Sequence, residues 1–210
     1  MEHRKHWSVR QIKGTSGPIT VQGPLSPERL ASLSMHRELD AFRPPAEQHD
    51  ALISIAGLPE GRIIAAVIED LIVGYVTFHY PDELELWSQG GMEDLVELGA
   101  IEVAGEYRGD GIAKALLQTA FAERQLENCI VFTTEYYWHW DLRGTGLDVW
   151  AYRRMMENLM KNVDMVWMAT DDPEICSHPA NCLMVRIGAE VPQSSVETFD
   201  RVRFRQRFMY

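Results

Sequence analysis

The pattern of apolar and polar positions predicts both strands and helices, so the chain belongs to the α/β class. Apolar runs predict strands at residues 18–22, 62–68, 71–79, 98–103, 129–135 and 163–169. Apolar residues at three- and four-residue spacings predict helices at residues 26–39, 46–56, 111–126 and 147–161. Near the C-terminus we expect short helices at residues 179–187 and 194–200 and a last strand at residues 202–210. Residues 1–16 carry no strong pattern.

The most informative stretch is a predicted strand–turn–helix between residues 98 and 117. Gly109 and Gly111 allow positive φ angles and a close backbone approach. The first N–H groups of a helix have no internal partner, and the helix dipole is positive there, so this turn favours a bound phosphate or diphosphate. Arg108 adds a permanently charged donor. The alternative is a tight turn that binds no ligand.

Composition and charge limit the classes of function. The length of 210 residues and the 46% share of hydrophobic residues predict one domain with a sizeable core. A net charge of −11 argues against nucleic acid as a partner. The basic residues 201–207 alternate with bulky apolar ones, which is more typical of a strand than of a nucleic-acid site.

Localisation and metal binding also follow from the residue types present. We expect no membrane span, because no apolar run reaches 18 residues, and no signal peptide, because the N-terminus is charged. Cys129, Cys176 and Cys182 are unpatterned, which predicts a reducing, cytoplasmic location. The spacings of histidine and cysteine do not match a zinc site, so we expect no metal.

The strand and turn together resemble a known superfamily. Arg108, Gly111 and Ala113 match the Arg-x-x-Gly-x-Ala signature of the GNAT acyl-CoA-dependent N-acetyltransferases, and Glu97 to Val103 is similar to their central strand. The resemblance implies a mixed, mostly antiparallel central sheet flanked by helices, in a single domain over residues 1–210. It also implies acetyl-CoA as the co-substrate.

Longer segments resemble one branch of that superfamily, the bacterial acetoin-utilisation acetyltransferases. These segments are residues 42–45, 72–77, 92–95, 133–141, 177–184 and the terminal 208–210. The resemblance implies a protein lysine acetyltransferase that inactivates AMP-forming acetyl-CoA synthetase by acetylating its catalytic lysine. Two alternatives stay open: an N-acetyltransferase of small amines, and a non-catalytic GNAT-like module that inhibits its partner by docking.

Two glutamates on the central strand are candidates for the general base. A lysine ammonium has a pKa of about 10.4, so a carboxylate must help to remove its proton before the amine attacks the thioester. Glu102 directly precedes Val103, where the acetyl group is expected, and is our first choice. Glu97 comes next. Because five residues separate them, the two side chains should point to opposite faces unless a bulge intervenes.

The resemblance also implies the contacts to the cofactor. The backbone of Ile101 and Val103 should bind the pantetheine arm, and the N–H of Val103 should polarise the thioester carbonyl. The diphosphate should be bound beside Arg108 by the backbone amides of Gly109, Asp110, Gly111, Ile112, Ala113 and Lys114. Asn181 is similar to a family asparagine that contacts the cofactor arm, although it is also suited to capping a helix. Met184 stands where a tyrosine general acid is common.

Two features of the second half bear on the organisation of the domain. The predicted strands 129–135 and 163–169 are both candidates for the fifth strand of the family. The second agrees better with the resemblance and makes residues 136–162 an inserted aromatic and helical segment. The aromatic run at residues 136–140 predicts either internal packing, which we favour, or a recognition surface.

Overall fold

The computed structural model describes residues 2–122 and 124–205. The chain forms two compact units. The first unit contains residues 2–79 and 98–125, and the second contains residues 80–97 and the chain from residue 126 onward.

The first unit is an antiparallel set of strands with three helices. Its strands are β1 (Ser8–Gly14), β2 (Gly17–Gly23), β3 (Ser34–Met35), β4 (Arg62–Ile68), β5 (Leu71–His79) and the end of β6 (Leu95–Val103). Its helices are α1 (Pro27–Ala31), α2 (Pro45–Gly57) and α3 (Ile112–Ala120). β1, β2, β4 and β5 pair in that order, all antiparallel, whereas the short β3 runs parallel to β5.

The core of the first unit lies between its strands and its first two helices. Leu30 from α1 and Leu52 from α2 pack with Ile63, Ile72 and Tyr75 from β4 and β5, and all five side chains are fully buried. Burying one such aliphatic side chain contributes roughly 1.5–3 kcal/mol. Both strands are continuous apolar runs because both of their faces are covered.

The second unit combines parallel and antiparallel pairing. It holds the start of β6, then β7 (Ile130–Glu135), α4 (Leu142–Thr145), α5 (Val149–Lys161), β8 (Val166–Met168), α6 (Pro173–Cys176), β9 (Cys182–Ile187) and α7 (Gln193–Arg203). β6 and β7 run parallel, while β9 is antiparallel to β7 on one side and to β8 on the other. The predicted mixed, mostly antiparallel sheet flanked by helices is confirmed.

Aromatic rings organise the core of the second unit. The ring of Trp87 lies 5.0 Å from that of Phe132 and 6.1 Å from that of Phe199 on α7. Aromatic pairs at such separations add about 0.5–1.5 kcal/mol to the burial of their area. α7 therefore packs against β7 through the ring of Trp87.

Two predicted helices in the first unit are too long. The helix expected over residues 26–39 ends at Ala31, because Ser34 and Met35 pair with Leu71 and Ile72 of β5 instead. The helix expected over residues 111–126 ends at Ala120. In both places tertiary pairing or packing outweighs the local apolar spacing.

Near the C-terminus, two predictions were wrong in kind. Residues 182–187 form strand β9 rather than a helix, because this apolar run pairs along β7. Gly188 does not end a helix; a Cβ there would collide with the carbonyl oxygen of Glu127. The helix expected at residues 194–200 is confirmed as α7, but α7 continues through Arg203 where a strand was expected. Residues 206–210, with the terminal resemblance, lie outside the described residues.

Two further differences concern strands. Residues 8–14, for which no pattern was found, form β1, whose residues are mostly exposed on one face and therefore lack an apolar signature. The place beside β6 is taken by β7 rather than by the strand at residues 163–169, which is reduced to the short β8. In the described ranges 2–122 and 124–205, none of the helices has the length and apolar character needed to cross a membrane.

Candidate active site

The turn before α3 has the backbone geometry that its glycines predict. Gly109 has φ 94° and Gly111 has φ 78°, backbone angles that residues other than glycine rarely adopt. A Cβ built on either glycine would meet no atom within 4 Å. The space over the turn is therefore open, and the backbone is accessible to a ligand.

The start of α3 is electrostatically prepared for an anion. Gly111 is the N-cap residue and provides no side-chain hydrogen bond to the first turn, which also contains no acidic residue. The first N–H groups of the helix, including those of Ile112, Ala113 and Lys114, thus have no acceptor within the helix itself. The exposed side chain of Lys114 adds positive charge nearby. A diphosphate fits this arrangement.

Arg108 lies between the central strand and the turn. Its Nε donates a hydrogen bond to the carbonyl oxygen of Val103, 3.3 Å away. This contact keeps the guanidinium at the entrance of the turn. A charge in that place is suited to a phosphate group of the cofactor.

Asp110 differs from its neighbours in the turn because its side chain binds another part of the protein. Its carboxylate accepts hydrogen bonds from the Oγ1 and the N–H of Thr15, at 2.6 and 2.9 Å. These bonds, first the one from the hydroxyl, hold the pKa of Asp110 below its usual range. The side chain fastens the turn to the β1–β2 hairpin, so that a ligand would meet the backbone of Asp110 and not its charge.

Ile101 and Val103 lie on the last part of β6. The register between β6 and β7 covers Leu95 to Glu97, and both residues lie further along the strand. Both are partly exposed. Immediately after them, the N–H of Ala104 donates to the carbonyl oxygen of Val73 on β5, at 3.0 Å. Their predicted backbone contacts to the pantetheine arm stay a prediction.

Glu102 is a buried carboxylate whose two oxygens are both hydrogen-bonded. It is 7% exposed, and it accepts from the hydroxyl of Tyr75 at 2.7 Å and from the N–H of Ala41 at 2.8 Å. Burial raises the pKa of Glu102, and the hydrogen bonds oppose that rise. The two hydrogen bonds fix the orientation of the carboxylate and stabilise its charged form.

Glu97 is in a different environment. It is half-buried, and within residues 2–122 and 124–205 its carboxylate accepts no hydrogen bond. Burial, with the negative charges of Glu85 and Asp82, raises the pKa of Glu97 to about 8. A carboxyl group with this pKa is mostly protonated at neutral pH, and its deprotonated form is a stronger base than an ordinary glutamate.

Asn181 belongs to the second unit, where it ties loops together. Its Oδ1 accepts from the N–H of Tyr137 at 3.0 Å, and its Nδ2 donates to the carbonyl oxygen of Glu174 at 3.2 Å. The side chain is 4% exposed. This structural use joins the aromatic run to α6, and the predicted contact with the cofactor stays a prediction. Met184, the residue in place of a tyrosine acid, is buried.

The aromatic run is partly packed and partly exposed. The rings of Tyr136 and Trp138 stack 4.7 Å apart, and the ring of Tyr137 lies 4.2 Å from that of His178. Trp138 is nevertheless 45% exposed, and Trp150 on α5 is 46% exposed. The run therefore packs against itself and His178, and it also exposes the indole ring of Trp138 to solvent.

Sequence reasoning missed the partners of the two glutamates. Tyr75 is hidden in an apolar strand, and Ala41 contributes only a backbone N–H, so neither has a signal in the sequence. Glu85 lies in a polar stretch whose place beside Glu97 depends on the fold. No cluster of three or more metal-ligating side chains occurs in the described part of the chain.

Comparison with known proteins agrees with this geometry. The sequence pattern of the Acetyltransferase (GNAT) family matches residues 32–139, which include both glutamates and the turn. The chain belongs to the GNAT acetyltransferase family. It is an acetyl-CoA-dependent N-acetyltransferase.

Three relatives of this GNAT acetyltransferase cover essentially the whole chain. Two are proteins named acetoin utilization protein AcuA. The one from Bacillus subtilis (strain 168) is 59% identical and the one from Bacillus licheniformis is 58% identical, each over all of both chains. The crystal structure of an acetoin utilization protein from Exiguobacterium sibiricum is 50% identical, with a TM-score of 0.97 over 99% of this chain and 98% of that one.

Proposed function

We propose that this GNAT enzyme acetylates the catalytic lysine of AMP-forming acetyl-CoA synthetase and thereby inactivates it, in the cytoplasmic metabolism of acetoin and acetate. The names of the relatives support a role in acetoin utilisation. The synthetase as target is implied by the resemblance of the longer sequence segments. The observation that supports the chemistry is the environment of Glu97, a half-buried carboxyl group whose pKa is raised to about 8 by burial and by the charges of Glu85 and Asp82.

Acetyl-CoA is proposed to bind with its diphosphate on the turn. The open space over Gly109 and Gly111, the uncapped start of α3 and the guanidinium of Arg108 support this placement. The pantetheine arm then follows the backbone of Ile101 and Val103 as an added strand would. The thioester carbonyl accepts a hydrogen bond from the N–H of Val103, which stabilises its developing negative charge.

In the proposed reaction, Glu97 removes a proton from the lysine ammonium, directly or through a water molecule. The neutral amine attacks the thioester carbon, the C–N bond forms and the C–S bond breaks. Coenzyme A leaves as a thiolate and takes up the second proton of the attacking nitrogen, which is lost as the amide forms, and the proton on Glu97 returns to solvent. Glu85 and Asp82 contribute in two ways: they raise the basicity of Glu97 and attract the cationic substrate.

Acetylation of this lysine explains inactivation of the synthetase in simple electrostatic terms. An adenylate-forming reaction develops negative charge between a carboxylate and a phosphate, and a lysine ammonium stabilises it. Acetylation removes that positive charge. The overall charge of −11 on the acetyltransferase favours a basic region around the target lysine.

Radiolabelled acetyl-CoA distinguishes this proposal from its alternatives. The enzyme is incubated with the purified synthetase, and separately with polyamines and other small amines. Label on the synthetase lysine supports the proposal. Label on a small amine alone, with an unlabelled synthetase, makes the enzyme a small-amine acetyltransferase. A tight complex that inhibits the synthetase without any transfer would make it a docking inhibitor.

A further inference from the structure

A buried carboxylate in the first unit holds an exposed segment of chain. Residues 40–44, which we call the Phe42 segment, lie between β3 and α2 with bends at residues 41–43, and all five are exposed. The N–H of Ala41 donates to Glu102 at 2.8 Å. The segment contains Phe42, whose side chain is 43% exposed. Glu102 thus fixes the backbone of a segment that solvent would otherwise hydrate.

A second set of contacts fixes the chain that leads into this segment. His36 Nε2 lies 2.6 Å from a carboxylate oxygen of Glu106, and the N–H of Glu106 donates to Glu38 Oε2 at 3.2 Å. The N–H of Glu38 donates to His36 Nδ1, also at 3.2 Å. The two anchors are therefore close in sequence: Glu102 lies in the last residues of β6, and Glu106 lies between β6 and the turn at Gly109 to Gly111.

The chemistry of Glu102 suits an anchor better than a base. Both oxygens accept hydrogen bonds from the protein, and the Tyr75 hydroxyl that binds one of them is itself in the core. These hydrogen bonds stabilise the charged form of Glu102 and so weaken its tendency to take a proton from a substrate. Burying a carboxylate is also costly, because its charged form loses hydration. The hydrogen bond from Ala41 to this carboxylate holds the irregular Phe42 segment in one defined position.

We propose that Glu102 is a positioning residue, whose carboxylate fixes the Phe42 segment at the end of β6 as a wall for the incoming acceptor. The inference rests on the proposed function, in which the thioester lies at Val103, the next residue on the strand. Asp40 and Phe42 would then face the acceptor lysine and its flanking residues. The proton is transferred to Glu97 and not to Glu102.

Two substitutions at one position separate positioning from base catalysis. In Glu102→Gln, the amide oxygen still accepts from Ala41 and the amide nitrogen donates to the oxygen of Tyr75, but no base remains. In Glu102→Ala, both contacts disappear. Glu60, a carboxylate of the same unit that is 9% exposed, supplies the control Glu60→Ala for the loss of a buried carboxylate.

Steady-state kinetics with the synthetase as acceptor give the first readout. Loss of a charge-assisted hydrogen bond changes an equilibrium constant by about tenfold or more. We therefore expect Glu102→Ala to raise the acceptor KM by about that factor. The Kd for acetyl-CoA should stay within about twofold. Glu102→Gln should recover most of the lost activity with an unchanged pH profile, and Glu60→Ala should not raise the acceptor KM.

Hydrogen exchange gives a readout that does not depend on the substrate. The amide of Ala41 should be protected in the wild-type protein and in Glu102→Gln, and should exchange faster in Glu102→Ala. A wild-type enzyme that labels no synthetase would refute the proposed function while this exchange result still stood. The positioning role itself is refuted if Glu102→Gln loses kcat as severely as Glu97→Gln, or if Glu102→Ala leaves the acceptor KM unchanged.

Discussion

At the scale of single residues, the two glutamates of β6 have the same side chain but different hydrogen bonds and neighbouring charges. Glu102 is satisfied by Tyr75 and Ala41, whereas Glu97 has carboxylates for neighbours and a pKa raised to about 8. From the sequence, Glu102 was the preferred base because it directly precedes Val103. Hydrogen bonding and charge, which the sequence does not display, favour Glu97 for that role.

The first prediction concerns Glu97. Glu97→Gln should lower kcat by about 10²–10⁴-fold, the usual contribution of a general base, with little change in acetyl-CoA affinity. The wild-type kcat/KM should rise with pH through about 8, because only the deprotonated carboxylate accepts a proton. Steady-state rates across a pH series test both statements. Glu97→Gln with wild-type turnover at neutral pH would contradict them.

Glu85 offers a finer test of the same site. The negative charge of Glu85 raises the pKa of Glu97, so Glu85→Gln should lower that pKa. The inflection of the pH–rate profile should therefore move to lower pH, while the maximal rate persists. A control substitution at the exposed Glu83, Glu83→Gln, changes the same net charge nearby in sequence. An inflection that moves equally in both variants would point to a general charge effect.

Glu135 should affect stability rather than catalysis. It is buried, and Trp140 Nε1 donates to it at 3.0 Å; burial raises the pKa of Glu135 to about 7. The folded-state pKa of Glu135 exceeds the ordinary value for a glutamate. Its contribution to the free energy of unfolding is therefore fully present below about pH 4.5 and is lost as pH rises through about 7.

Glu135→Gln should remove that penalty and keep the acceptor for Trp140. We expect the variant to be more stable than the wild type at pH 8, by up to roughly 3 kcal/mol, and not more stable at pH 4.5. Denaturant unfolding at the two pH values measures the difference. A difference that is the same at both values would show that Glu135 does not titrate between them.

At the scale of elements, the strand–turn–helix was the part that the sequence predicted best. Its glycines, its polar turn and its apolar helix face are all local signals, and β6, the turn and α3 follow in that order. β9 was mistaken for a helix because a short apolar run carries no clear period, and only its pairing with β7 decides its conformation. The exposed β1 had no apolar pattern to detect.

The turn itself can be tested at Gly111. Gly111→Asp places a negative charge at the start of α3 and forces a side chain onto φ 78°, which costs roughly 1–2 kcal/mol. Acetyl-CoA affinity, measured by calorimetry, should fall by more than about tenfold. Gly91→Asp is the matched control, since Gly91 has φ 59° and open space around its Cβ but lies in the other unit. Equal affinity in Gly111→Asp and the wild type would exclude the turn as the diphosphate site.

At the scale of the whole molecule, charge should influence the encounter with the partner. The chain carries a net charge of −11, so a basic region on the synthetase would be attracted over a distance that salt shortens. We expect the KM for the synthetase to rise as salt increases from low to physiological concentration, mainly through slower association. The Kd of a short neutral acceptor peptide should change much less, and equal changes for both acceptors would argue against electrostatic steering.

The proposed reaction transfers acetyl to a lysine of acetyl-CoA synthetase with Glu97 as the base. The most direct measurement incubates the enzyme with the synthetase and acetyl-CoA, and follows the intact mass and the activity of the synthetase together. We expect the synthetase to gain one acetyl group on its catalytic lysine and to lose activity in parallel, and we expect Glu97→Gln to produce neither change. A synthetase that stays unmodified and fully active, while the enzyme acetylates a polyamine, would refute the proposed reaction.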